Sequence, residues 1–154
     1  MKWIFTLLTF LSLKAFSQPE NELVKIPINN LFEGMRLSDT ALLKAAFAPS
    51  AILQTITKSK EGKVDVRTEV IKDFITFIAK PHPEIYDERI HFEVIRVDAD
   101  LAVVWTPYKF FVGKKFSHCG VNSFQLIKLN GNWKIQYLID TRRKEGCDKI
   151  KTLR

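Results

Sequence analysis

A chain of 154 residues, 46% apolar and 27% charged, is sized and balanced for one globular domain, and no repeat or low-complexity segment points elsewhere. Its formal net charge of +7 comes from basic residues scattered over turns and strand ends: Lys58, Lys60 and Lys63; Lys114 and Lys115; Arg142, Arg143 and Lys144. A nucleic-acid groove needs a continuous basic track interleaved with aromatic residues, so nucleic acid is excluded as the expected partner.

The N-terminus stands apart. Lys2 supplies a positive start, Trp3 to Leu13 run without a charge, and Ala15-Phe16-Ser17 give a small-x-small step before Gln18. This is the layout of a secretory signal peptide. The run is shorter than the roughly 20 apolar residues of a membrane span. The expectation is an exported protein, periplasmic or secreted, cleaved after residue 17 and left without a stable membrane anchor. Lys2 and Lys14 leave with the signal, so the net charge falls from +7 to +5.

Residues 18–25 read as a polar, flexible N-terminus, residues 26–146 as the domain and residues 147–154 as a C-terminal tail. From Pro27, a residue suited to a first helical turn, Ile28, Leu31, Phe32 and Met35 fall on one helical face. Ser38 is placed to cap a second helix, with Asp39 in its first turn, Leu42, Leu43 and Ala46 on its apolar side and Pro49 as its stop. Ala51 to Ile56 form a short β-rich run. Ser59 to Lys63 make a turn, and Val64 to Val66 pair back. Thr68 is placed to cap a third helix whose broad apolar face, Val70, Ile71, Phe74, Ile75, Phe77 and Ile78, predicts deep burial. Four strands follow, Arg89–Val97, Leu101–Val112, Lys115–Leu129 and Trp133–Arg143. The turn at Asn130-Gly131 is the strongest hairpin signal among them. The fold class is α+β, with helices packed on one face of a curved, mostly antiparallel sheet.

The order and the segments LFEGMRLSDTALLKAAFAPSAIL, LAVVW and FQLIKLNGNWKI resemble the nuclear transport factor 2-like superfamily over residues 26–143. The nearest likeness is to small exported SnoaL-like or putative lumazine-binding proteins whose last strand ends in Asp-Thr-Arg-Arg. The resemblance implies a cone-shaped fold, three N-terminal helices on a curved sheet, a pocket between sheet and helices, and a homodimer formed through the sheet. It does not imply one chemistry.

Register sorts the strand residues into faces. A two-residue turn at Asn130-Gly131 sets Leu129 opposite Asn132, Phe124 opposite Tyr137, Asn122 opposite Ile139 and His118 opposite Arg143. A turn at Gly113-Lys114 sets Trp105 opposite Asn122. On regular strands Trp105, His118, Asn122, Tyr137 and Thr141 then share the core face, with Lys109 at its edge and no carboxylate assigned to it. A His118–Asp140 pair would straddle the sheet, outside the ~2.6–3.2 Å reach of general-base chemistry. Only a β-bulge would unite it.

Cys119 and Cys147, an even pair in an exported chain, are expected to form a disulfide once a turn at Glu145-Gly146 brings Cys147 back. The three histidines lack metal-ligand spacing, so no metal and no cofactor are expected. The first functional reading is a pocket for a small, partly apolar molecule, lined by Phe32, Phe74, Trp105, His118, Asn122, Tyr137 and Thr141. The second is an isomerase, dehydratase or cyclase with His118 as catalytic base. The third is a dimeric interaction module whose pocket Trp105 and Tyr137 fill.

Overall fold

A computed structural model describes residues 19–151. The expected signal peptide, residues 1–17, lies outside them. The elements are α1 (Glu20–Leu37), α2 (Thr40–Ala46), β1 (Phe47–Lys58), β2 (Val64–Glu69), α3 (Ile71–Ala79), β3 (Tyr86–Ile90), β4 (Val94–Asp98), β5 (Leu101–Val112), β6 (Lys115–Leu129) and β7 (Asn132–Thr141). The class is α+β as expected. Two helices precede the sheet and the third sits between its second and third strands.

The first helix starts earlier than Pro27, and the segment expected to be flexible is helical from Glu20 onward. Val24 extends the stripe of Ile28, Leu31 and Met35 by one turn and is fully buried. Glu20 is tied to Lys128 (2.7 Å) and to the indole N–H of Trp133 (2.8 Å). These contacts offset the missing hydrogen bond at the internal Pro27. Ser38 ends α1 in the left-handed conformation, and Asp39 caps α2 through the amides of Ala41 and Leu42. Ser38 is taken up as the left-handed end of α1, so the cap expected of it falls one residue on, to Asp39. Thr68 does not cap α3 either. It lies in β2 and bonds Gln54 at 3.0 Å. Helix α3 is less buried than its composition predicts. Ile78 packs into the core, but Phe77 is 52% exposed and Val70 also faces solvent.

The sheet runs in the order β2-β1-β7-β6-β5-β3, with β4 also on β5. All neighbours are antiparallel except β1 and β7. The single strand expected from Arg89 to Val97 is two. The amides of His91 and Glu93 still reach the carbonyls of Pro107 and Trp105 across the break, so the edge stays paired. The core fills the space between the helices and one sheet face: Val24, Ile28, Leu31, Leu43 and Ile78 against Ala102, Val104, Phe124, Leu126, Ile135 and Leu138.

Two irregularities change the faces. Pairing from Leu129–Asn132 to Leu126–Ile135 follows the expected turn, but Gln136 is then skipped and Asn122 comes to lie opposite Asp140. Between β5 and β6, Ser117 is skipped, so Phe110 pairs with His118, Thr106 with Asn122 and Trp105 with Ser123. One extra residue turns every later side chain to the other face. Thr106, Tyr108, Phe110, Leu138 and Asp140 face inward. The expected inward positions of Trp105, Lys109, Tyr137 and Thr141 are overturned.

Cys119 and Cys147 form the expected disulfide, with Cα atoms 5.7 Å apart. Cys119 exchanges two backbone hydrogen bonds with Arg143 (2.9 and 2.8 Å). Ile150 packs on the bridge, so the start of the expected tail is anchored. The bridge joins residues 28 apart, and losing it is expected to cost about 3 kcal/mol. Urea unfolding of the Cys119→Ser/Cys147→Ser double variant checks this. A midpoint equal to that of the oxidised protein would contradict it.

Candidate functional site

A cavity of ≈ 410 Å³ lies between the helices and the inner sheet face. Phe32 of α1, Phe74 of α3, Phe47 and Leu53 of β1 and Phe110 of β5 give it apolar walls. Phe32 sits edge-on to Phe124, and Phe47 edge-on to Phe74, so the aromatic walls brace one another. The polar lining gathers on strands β3, β5, β6 and β7: Glu88, Tyr108, His118, Asn122, Asp140 and Arg142 just past β7. The exposed Arg67 of β2 and Phe77 of α3 mark the solvent side.

Asp140 is the most heavily bonded of these groups. Only 6% exposed, it accepts from Thr55 Oγ1 (2.6 Å) and from Arg142 Nε (2.9 Å). The Tyr108 hydroxyl lies 3.2 Å from Asp140 Oδ2 and 2.9 Å from the Thr141 carbonyl oxygen, which share its one proton. Arg142 Nη2 donates in turn to Thr55 Oγ1 at 3.1 Å. The guanidinium and the hydroxyls replace the water that this buried carboxylate has lost. Burial opposes the charge on Arg142, but Asp140 outweighs it and holds the guanidinium above its ordinary value. Burial, then Glu88 and Asp140, push the Tyr108 phenol well up, so it remains a hydroxyl donor.

Among the described residues Glu88 pairs with no cation. Asn122 Nδ2 donates to its Oε1 at 2.8 Å. Burial is the main cause that pushes its carboxyl up to about 8. Asp140 adds to this, while the Asn122 hydrogen bond and Arg142 oppose it. At neutral pH this favours the protonated carboxylic acid over the carboxylate. The His118 imidazole packs between Tyr108 and Phe110, with ring centroids 5.7 and 5.1 Å away. Burial first, then Arg142 and Lys144, hold it below its ordinary value against the pull of Asp140. It is a neutral base at pH 7, with Ser117 Oγ 3.0 Å from Nδ1.

Of the residues read as a site from the sequence, Phe32, Phe74, His118 and Asn122 line this cavity. Three do not. Trp105 is on the outer face and 44% exposed. Tyr137 donates to Gln54 Oε1 (2.7 Å), and Thr141 Oγ1 accepts from the Val121 amide (3.2 Å). Asp140 and His118 share the cavity, but no hydrogen bond links them among the described residues. The expectation of a core face without carboxylates is overturned by Glu88 and Asp140 together. Glu88 was within reach of sequence reasoning. In Tyr86-Asp87-Glu88-Arg89-Ile90 it alternates with Tyr86 and Ile90, but a strand started at Arg89 leaves it out.

The sequence matches the family described as putative lumazine-binding over residues 19–137. No curated protein matches it. Solved structures share its fold at low identity. One nuclear transport factor 2-like protein from Cytophaga hutchinsonii is 12% identical, with a TM-score of 0.66 over 82% of this chain and 100% of that one. A protein of unknown function from Mycobacterium tuberculosis is 14% identical, with a TM-score of 0.66 over 84% of this chain and 75% of that one. A putative dehydratase of the same superfamily from Streptomyces avermitilis is 14% identical, with a TM-score of 0.58 over 80% of this chain and 96% of that one.

The Glu88 carboxyl makes stability depend on pH. Its folded value, about 8, lies above the ordinary 4.5. Between those values the folded state holds a proton that the unfolded state has released. Stability from this group is therefore complete below about pH 4.5 and is lost as pH rises to about 8, by about 1.4 kcal/mol per pH unit. Glu88→Gln removes the contribution. Urea unfolding across this range should show the native protein losing ground to the variant as pH rises. Parallel pH profiles would contradict the assignment.

Proposed function

The chain belongs to the putative lumazine-binding family, within the nuclear transport factor 2-like superfamily, and from that premise we propose that it binds a small, partly apolar molecule in the cavity between sheet and helices. One observation carries the reading: a cavity of ≈ 410 Å³ whose walls are apolar and whose polar groups converge at one side. Ligand sites have this composition, at about 300–1,000 Å³. The curl of the sheet around the helices would form the cone that the superfamily resemblance implies. Phe32, Phe47 and Phe74 offer faces and edges to a flat ligand, and Asn122 and His118 meet its polar end. The reading of a pocket filled by Trp105 and Tyr137 loses its support, because both face away from the cavity.

A second reading, proton transfer of the isomerase or dehydratase kind, is favoured by one observation. Glu88 and Asp140 occupy one cavity in unequal environments, one neutral and alone, one held by donors. Such pairs separate acid from base roles. His118, held neutral, would be the base and Glu88 the acid. Exchange of ligand C–H protons for deuterium in D₂O, lost in Glu88→Ala and His118→Ala, would establish it. No exchange would leave a binding protein.

The protein is proposed to act after export, cleaved after residue 17. Its disulfide supports this, since such bridges persist in oxidising compartments. It is also proposed to dimerise through the outer sheet face, where Trp105, Val103, Leu101 and Ile52 are exposed.

Native mass spectrometry of the mature protein, purified without reduction, tests these readings together. The spectrum should show a dimer that carries a small-molecule mass. Leu138→Trp, which fills the cavity, should remove the added mass and keep the dimer. Trp105→Glu should do the reverse. An added mass that survives Leu138→Trp would place the ligand elsewhere.

A further inference from the structure

We propose, building on the pocket reading above, that the cavity selects uncharged ligands bearing a hydrogen-bond acceptor, a carbonyl oxygen above all, which Glu88 receives as a carboxylic acid donor, and that it rejects anions of the same shape. The Asp140 carboxylate is already met by Thr55, Arg142 and Tyr108. The Arg142 guanidinium is turned onto Asp140 and Thr55. The positive and negative charges of this network therefore satisfy each other. An anionic ligand would meet a guanidinium already shared with Asp140 and Thr55, beside a buried carboxylate that repels it.

Glu88 is different. Its Oε1 accepts from Asn122, itself 3% exposed. Oε2 has no protein partner among the described residues, and it is not sealed from solvent-sized space as the Thr106 hydroxyl is. With Oε1 engaged as the acceptor, Oε2 carries the proton and presents it to the cavity. A carbonyl oxygen would complete the bond. A carboxylate ligand would need the same proton but would bring its charge beside Asp140.

The same geometry makes selection sensitive to pH. The groups that face Glu88 across the cavity are Tyr108 of β5, His118 of β6, and Asp140 and Arg142 at the end of β7. On its α1 side lie Glu33 and Arg36, which pair with each other, and its strand neighbours Asp87 and Arg89 do the same. Arg67 and Glu69 of β2 line the cavity as well and are opposite in charge. Around Glu88 the pairs Glu33–Arg36, Asp87–Arg89 and Asp140–Arg142 are thus ion-paired, and the carboxyl keeps its proton to about pH 8. Above that it becomes an acceptor and repels a carbonyl.

Three probes with one ring system test this: 2-acetylnaphthalene, naphthalene and 2-naphthoate, titrated calorimetrically into the oxidised protein, Glu88→Gln and Glu88→Ala. At about pH 6.5 the ketone should bind the native protein about tenfold tighter than the hydrocarbon, and tighter still than the carboxylate. At about pH 9.5 that preference should vanish in the native protein. It should persist in Glu88→Gln, whose amide donates at both values, and be absent at both in Glu88→Ala. If 2-naphthoate binds as tightly as the ketone, or the preference survives in Glu88→Ala, the selectivity is overturned and the pocket reading stands. If none of the probes binds any form, the pocket reading falls and the selectivity with it.

Discussion

Two extra residues, Ser117 in β6 and Gln136 in β7, govern which side chains the sheet turns toward the helices. A strand alternates its faces with a period of two, so a single skipped residue inverts everything beyond it. Without the skip at Gln136, Asp140 would lie on the outer face and Tyr137 and Thr141 would face inward. Without the skip at Ser117, the inward places on β5 would go to Trp105 and Lys109 instead of Thr106, Tyr108 and Phe110. The polar side of the cavity exists because both shifts occur. The disulfide secures the same region. Cys119 sits between His118 and Gly120, and its backbone bonds to Arg143 hold the chain that carries Arg142.

Once those residues are inside, electrostatics assigns their states. Asp140 and Arg142 arrive two residues apart on the same strand end and neutralise each other, with Thr55 bonded to both. Glu88 arrives alone, on a strand across the sheet, with an amide as its partner. Partial burial without a cation beside it disfavours the charged form, so the Glu88 carboxyl is raised. The same burial keeps His118 unprotonated. The result is a polar surface with donors and acceptors, its Asp140 and Arg142 charges matched to each other, set against aromatic walls. That combination suits recognition of an uncharged polar group on an apolar body.

Much of this was legible in the residues. Asn130-Gly131 placed the last hairpin, and Phe124, Leu126 and Asn122 were sorted to the correct face because they lie on the strand whose alternation is unbroken between the two shifts. The cysteine pair and the aromatic residues Phe32 and Phe74 were also legible. The bulges were not. Neither Ser117 nor Gln136 is a glycine, and nothing in local composition separates a bulged strand from a regular one, since the shift is selected by what the whole sheet can pack. Asp140 became readable as an inward group only once Thr55 of β1 and Tyr108 of β5, distant in the chain, joined its neighbour Arg142 around it. Membership of the putative lumazine-binding family fits this division: the frame is shared at 12–14% identity among the solved structures described, while the polar set depends on single-residue shifts.

The polar side of the cavity depends on the position of Asn122 relative to the last strand. Backbone NOEs on uniformly ¹⁵N,¹³C-labelled, oxidised protein read that position directly. Cross-strand NOEs joining Asn122 to Asp140 on one side and to Thr106 on the other are the predicted result. NOEs joining Asn122 to Ile139 and Trp105 would mean regular strands, an outward Asp140 and no such polar side to the cavity.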